Sequence, residues 1–473
     1  MNQPARQRSS GNGKRPDIRP VPAHVDFERG DHVELAAHLL RALEAAGGPR
    51  LVYVEGRLWR YDESGIWEPI AEAELSVLVQ RFAGKTVRTS KGVAPLKVRS
   101  NDVIGAIKLA QHQRYVPGFF DTAGGAVAFS NGVATVTGAG VTISEPSPEQ
   151  RIRVRYPFAY DENSSASRFE AFLVEVFQAD RDYSHKIGFL QEFLGACILG
   201  QAARYQRCAV ALGPGANGKG VTIKIMEAAM PAGTTSAIAP QLWNDQYRRA
   251  RLVGVRLNVV SELPEQDILD SESFKAVVAG DSIDARPIRE APFEFRPIAG
   301  HLFAANRLPG TPDHSHGFWR RPLVVTFNRT FTPAEQDAGL AEAIVATEVP
   351  GVVRWALQGA VRLMQRGRYL EPASSLEAVA AWRRTADPVA LFIDECTVPL
   401  PPAAPITEGV AAAQLYQGFR HWCVENGHRP MASNKFGQRM GLLSKESKHT
   451  AKGNRYPVKF ETPPIGLRGS EGL

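Results

Sequence analysis

Apolar residues at helical spacing, Leu35, Leu39, Leu40 and Leu43, give way to short strand-like runs at Leu51–Val54 and Leu58–Tyr61. Gly65-Ile66-Trp67 closes that set, and another set of strands gathers around Val127–Val133. This pattern predicts a small α+β module over residues 31–160. It follows a polar, Arg-, Ser-, Gly- and Pro-rich stretch, 1–30, that reads as a disordered basic tail. From about 167 the spacing turns helical, in Phe169–Phe177 and Ile187–Leu199, which sets off a helical region over 161–204. Strand and helix patterns then alternate from 205, and helices dominate from 333 to 386, as in an open α/β core. Val398–Pro405 is proline-rich and marks a linker within a final segment, 387–473. In its tail, Leu415, Phe419 and Trp422 share one helical face that Gly427 ends. A second helix is expected over Asn434–Leu443 with Ser433 as its cap, and then two strands with a basic turn across Lys448–Phe460.

Composition narrows the class. A chain of 473 residues with 44% hydrophobic and 22% charged residues is long enough for several cores. No run approaches the roughly 20 apolar residues of a membrane span, and a signal-peptide core is absent at the N-terminus, so a cytoplasmic location is expected. Cys197, Cys208, Cys396 and Cys423 lack paired spacing, which argues against a zinc ribbon and against a disulfide framework. The formal net charge is +7. Between Arg429 and Lys459 eight basic residues face one acid, Glu446, which points to a polyanionic partner.

The chemistry concentrates after residue 208. Gly213, Pro214, Gly215, Ala216, Asn217, Gly218, Lys219 and Gly220 separate the apolar run Cys208–Leu212 from a helix-compatible stretch that opens at Val221. Glycines there let consecutive N–H groups turn onto a polyphosphate, and Lys219 reaches its outer oxygens, so ATP is the expected ligand. Gly220 stands where a Ser or Thr hydroxyl would meet Mg2+, and Thr222 faces elsewhere on the helix. A strand across Leu252–Ser261 ends in Glu262, the candidate magnesium-linked acid or base, with Glu265 shortly after. His301–Ala305 ends in Asn306, suited to sense a γ-phosphate or position water. Arg320 and Arg321 precede another strand; one of them, offered to a neighbouring subunit, would stabilise the transition state. Residues 280–295 read as a hairpin whose tip carries Arg286 and Arg289.

These motifs occur in one order, GPGANGKG, RLNVVSELPE, FKAVVAGDSIDARPIREAPFEFRP, HLFAANRLPG and GFWRRPLVVTF. Taken together they resemble the phage and plasmid primase-helicases of helicase superfamily 3, a family that includes the poxvirus primase-helicase. The resemblance covers roughly residues 120–470. It implies a modified AAA+ P-loop ATPase core, a three-layer αβα fold spanning 205–386, that assembles as a homo-hexamer and moves 3' to 5' on single-stranded DNA. It also implies Lys219 as the phosphate lysine, Glu262 as the second-motif acid, Asn306 as the sensor and Arg320 or Arg321 as the finger. Lys275 and Arg289 are then DNA contacts in the hairpin motif.

The tail order of helix, capped helix and basic hairpin is that of a C-terminal winged helix, with Lys435, Arg439, Lys452 and Arg455 as its contacts. Single-stranded and forked DNA are the expected partners. The first 120 residues are too few for a primase-polymerase domain, so a separate primase or polymerase would supply that activity. A second reading is a non-translocating initiator or loader in which ATP binding only drives assembly. Gly220 keeps it open.

Overall fold

The computed structural model describes residues 27–45, 50–90, 92–121, 124–263, 271–288, 291–311, 313–428, 430–443 and 445–461. The expected tail thus lies, through residue 26, outside the described residues, as do Glu265, Arg289 and Arg429.

At the centre is a five-stranded, all-parallel sheet. Across it run Thr235–Ser236, Leu257–Val260, Gly300–Ala305, Cys208–Leu212 and Pro322–Thr326. Both faces are covered, so the strands read as continuous apolar runs rather than as polar-apolar alternations. The alternation persists in which layer each residue meets. Ala209, Ala211, Leu302, Ala304, Leu323 and Val325 join one core, and Val210, Phe303, Ala305 and Val324 join the other.

The first core is built with helices Ser167–Phe177, Tyr183–Ile198, Lys219–Ala228 and Leu340–Arg366. Gly195 lies against the Ala356 carbonyl and Gly359 against the backbone of Gln191, where a Cβ would collide, so these glycines set how closely two long helices approach. The second core gathers Trp243, Phe274, Phe318, Trp319 and Trp382 under helices Ser271–Ala279 and Ala373–Thr385.

The helix expected from residue 34 is His32–Ala45; it packs with Glu72–Gln80 and Ser100–Gln113. The sheet Ala126–Phe129, Gly132–Thr137 and Gly140–Ser144 contributes Val127, Phe129, Ala134 and Val136 to the first core, so packing crosses the boundary expected at 160.

Three expectations need correction. The strand predicted over Leu252–Ser261 is confined to Leu257–Val260, because Gly254 turns the chain at φ +72°. The proline-rich segment is not a free linker: Thr397–Pro399 pairs antiparallel with Val458–Phe460. Ser433 is the first residue of helix Ser433–Leu442 and does not cap it; Ala432 precedes it without a side-chain bond. Among the described residues no helix is long and apolar enough to cross a membrane. The four cysteines are buried thiols.

Candidate functional site

The carboxyl ends of three adjacent strands bring three predicted residues together. Ala305 pairs with Leu212 and Val260 with Phe303, so Gly213, Asn306 and Glu262 emerge side by side on one edge. Ligands of open parallel sheets bind outside that edge.

The loop is held from within. Asn217 donates to the Phe327 carbonyl at 3.3 Å and to that of Pro214, while its Oδ1 accepts from the Lys219 amide at 3.3 Å. The Phe331 amide donates to the Ala216 carbonyl at 2.8 Å. Ala216 at φ +54° and Gly218 at φ +85° reverse the local hand, which turns backbone amides inward as an anion-binding concavity. Gly213 and Gly218 are required by space as well: added Cβ atoms would press on Phe327 and Val176. Pro214, Gly215 and Ala216 are exposed at the tip, and helix Lys219–Ala228 begins directly behind with Val221 in its first turn.

Lys219 is 9% exposed. Its Nζ donates to the Ala305 carbonyl at 3.1 Å, to Asn306 Oδ1 at 3.0 Å and to the Gly213 carbonyl. Burial lowers its pKa, and no carboxylate pairs with it among the described residues. A cation held only by neutral acceptors favours an incoming anion. Asn306, chosen from sequence as a sensor, therefore touches Lys219, the residue expected to bind phosphate.

Glu262 is exposed at its strand end. The Thr222 hydroxyl donates to the Gly218 carbonyl at 2.9 Å, so it is occupied, while a Cβ on Gly220 would meet nothing within 4 Å. One carboxylate without a loop hydroxyl fits Mg2+ that keeps mostly water and phosphate ligands. Among the described residues no group of three or more His, Cys, Asp or Glu forms a metal site of its own.

The tandem arginines part company. Both precede Pro322–Thr326, at the amino edge of the sheet and away from the phosphate loop. Arg321 is 6% exposed, donates to the Gly317 carbonyl and has its pKa lowered, chiefly by burial. Arg320 is exposed, with Nη2 2.5 Å from Gln206 Oε1, and lines a cleft of about 550 Å³ with His316, Trp319, Arg383 and Asp387.

The hairpin is Ile283–Ala285 paired with Phe293–Phe295. Arg286 is partly buried near its tip, Ile288 is 77% exposed, and Arg289 lies outside the described residues. Lys275 is on the preceding helix, where Asp313 holds its ammonium at 2.9 Å, which counts against its expected role as a DNA contact. Sequence reasoning missed the short helix Gln246–Arg249 beside the hairpin, whose Gln246 carbonyl accepts from the Arg286 amide at 3.2 Å. Tyr247, Arg248 and Arg251 are exposed there; an exposed aromatic among arginines was the available signal.

In the tail, helix Pro388–Cys396, strand Val410–Ala411, helices Ala412–Glu425 and Ser433–Leu442, and the ribbon Lys448–Thr450/Gly453–Tyr456 follow in order. The first strand pairs with the third, Gly453–Tyr456. Lys435 and Lys452 are exposed. Arg455 is half-buried and reaches the Gly409 carbonyl. Arg439, expected to contact DNA, instead grips buried Asp387, with Nε 2.8 Å from Oδ2.

Three protein families match parts of the chain: a family of unknown function (DUF5906) over 211–321, "Poxvirus D5 protein-like" over 384–462 and "D5 N terminal like" over 36–178. Among curated proteins, "Putative helicase 022R" of Frog virus 3 (isolate Goorha) is 26% identical over 249 residues, 48% of this chain and 25% of that protein. "Putative helicase L207/L206" of Acanthamoeba polyphaga mimivirus is 21% identical, over 68% of this chain and 36% of its own length. The chain thus spans about a quarter to a third of these relatives. The solved apo C-terminal region of NrS-1 aligns over 89% of this chain and 98% of that one, at 14% identity and a TM-score of 0.45.

Proposed function

Since the chain belongs to the poxvirus D5-like primase-helicase family, we propose that it is an ATP-driven DNA helicase working as a homo-hexameric ring. The observation that carries this is the separation of Lys219 from Arg320 to opposite edges of one parallel sheet. A single copy cannot bring both to one triphosphate, so hydrolysis requires the edge of one copy to face the loop of the next.

In that arrangement the loop amides and Lys219 take the phosphates, and Glu262 orients and deprotonates the attacking water. Asn306, bonded to Lys219, reports the loss of the γ-phosphate to the strand behind it. Bound Mg2+ supplies charge neutralisation on the phosphate oxygens. Arg320 of the neighbour completes the site, and Arg321 fixes the backbone that presents it.

DNA follows the hairpin, with Arg286 and the adjoining Tyr247, Arg248 and Arg251 gripping phosphates and stacking a base. Movement is 3' to 5', as the superfamily resemblance implies. The strand order of the sheet supports an AAA+ core, and the order of tail elements supports a winged helix that uses Lys435 and Lys452 on forked DNA. A separate primase or polymerase starts synthesis, in the cytoplasm of the host cell.

Mixing Arg320→Ala with Lys219→Ala subunits tests the shared site. Each variant alone should be inactive, whereas mixed rings contain some interfaces with both wild-type halves and should recover ATPase activity. No recovery at any ratio would remove the shared site.

Gly220 favours one other reading, an initiator or loader that binds ATP without translocating. In that case ATP supports assembly, while DNA leaves hydrolysis unchanged and duplex is not unwound.

A further inference from the structure

Lys275 is committed to Asp313 rather than left free for DNA. Its Nζ lies 2.9 Å from Asp313 Oδ2, and the Asp313 side chain is only 9% exposed. Asp313 in turn organises the segment that leads to Arg320. Its Oδ1 accepts from the Ser315 amide at 2.8 Å, and the Ser315 hydroxyl accepts from the Phe318 amide at 3.3 Å, which caps the short helix His316–Trp319. Arg320 follows directly, its amide donating to the His316 carbonyl at 3.1 Å. One carboxylate therefore joins a lysine to the cap of the turn that presents Arg320.

Lys275 sits on helix Ser271–Ala279, and only Gly280, Asp281 and Ser282 separate that helix from hairpin strand Ile283–Ala285. The connection is short and tied back, with the Gly280 and Asp281 amides donating to the Val277 and Ala276 carbonyls at 3.3 and 3.0 Å. On its other side the same helix meets the Arg320 turn. The rings of Phe274 and Phe318 lie 5.1 Å apart, and an added Cβ on Gly317 would come within 3.7 Å of Lys275 Cδ. Ile283 and Phe295 of the hairpin share one core with Phe274 and Phe318.

We propose, resting on the helicase reading above, that Lys275 and Asp313 are positioning residues that couple the hairpin to Arg320 within one subunit. DNA in the hairpin then governs how Arg320 is presented to the neighbouring copy. Ring packing of Phe274 on Phe318 resists compression, whereas a charge-assisted hydrogen bond also resists separation and fixes direction. A shift of the hairpin is thereby carried through helix Ser271–Ala279 to the Arg320 turn as one packed unit.

The test measures ATP turnover of the assembled full chain with and without a single-stranded oligonucleotide, beside anisotropy of the same oligonucleotide labelled with fluorescein. Lys275→Met keeps the alkyl stem and Asp313→Asn keeps an acceptor for the Ser315 amide, so each removes the ion pair at little cost to packing. A wild-type melting midpoint shows that the fold survives, and if one variant unfolds the other decides. Each should lower the stimulation of turnover by DNA by about fivefold or more, while oligonucleotide affinity stays within about twofold of wild type. Lys275→Arg, which keeps the charge, should keep most of the stimulation. Wild-type stimulation in the folded Met or Asn variant, or a loss in Lys275→Arg as large as in Lys275→Met, would overturn the coupling. So would weaker oligonucleotide binding in Lys275→Met alone, which would make Lys275 a direct DNA contact. A wild type whose turnover is indifferent to DNA would instead fail the helicase reading, and the coupling with it.

Discussion

The two edges of the central sheet solve opposite problems. At the carboxyl edge a cation, Lys219, is held by three neutral acceptors and sunk beside Gly213 and Gly218, which leave no room for side chains. At the amino edge a cation, Arg320, is exposed, while its neighbour Arg321 is buried against the turn that presents it. In the proposed function one edge receives charge and the other delivers it.

Arg320→Ala should break the comparison most sharply, lowering ATP turnover in assembled rings by about a thousandfold with nucleotide affinity little changed. Arg321→Ala should act through stability: loss of a buried arginine's packing and backbone bond lowers the melting temperature, by about 1 to 3 kcal/mol of stability, and the folded fraction keeps its turnover. Equal loss of turnover in two equally stable variants would erase the distinction between them. On the receiving edge, Lys219→Ala should cost about a hundredfold or more in turnover, and should weaken binding of a non-hydrolysed ATP analogue measured by calorimetry.

Much of this site was legible in the sequence because it depends on local geometry. A glycine-rich loop after an apolar strand announces itself, and strand-end residues such as Glu262 and Asn306 are found once the strand is. What sequence reasoning could not reach were choices made by tertiary contact. Lys275 and Arg439 look like free cations in a string of letters, yet Asp313 and Asp387, 38 and 52 residues away, hold them. Val398 and Pro399 read as linker because proline usually ends a pattern, but an edge strand tolerates it, and Val458–Phe460 supplies the partner. The tandem arginines were indistinguishable until burial separated them.

A smaller change sharpens the receiving edge. Gly220 is exposed in the first turn of the phosphate-loop helix, with open space around its missing Cβ. Gly220→Thr therefore adds a hydroxyl next to Lys219 without a clash, and threonine is no worse than glycine in a helix. The Mg2+ concentration that gives half-maximal ATPase should fall by about tenfold. A magnesium requirement that does not move would mean that the carboxylate and phosphates already satisfy the ion. A variant that newly unwinds duplex, from a wild type that does not, would favour the initiator reading of the natural chain.

The smallest expected effect asks whether the same division of labour recurs in the tail, where Arg439 is buried on Asp387 and Lys452 is exposed on the ribbon turn. Asp387 also caps helix Pro388–Cys396, so Arg439 fixes how two tail helices meet, while Lys452 is exposed to solvent. Lys452→Ala should reduce the salt slope of duplex binding by about 1 and leave the melting midpoint in place. In the proposed winged-helix docking the turn meets the backbone rather than base edges, so the loss should be uniform across duplex sequences. A loss confined to one sequence would assign Lys452 to base reading and recast the ribbon as the specific element of the tail. No loss at all would move the expected phosphate contact to Lys435 on helix Ser433–Leu442 or to exposed Lys448 on the ribbon.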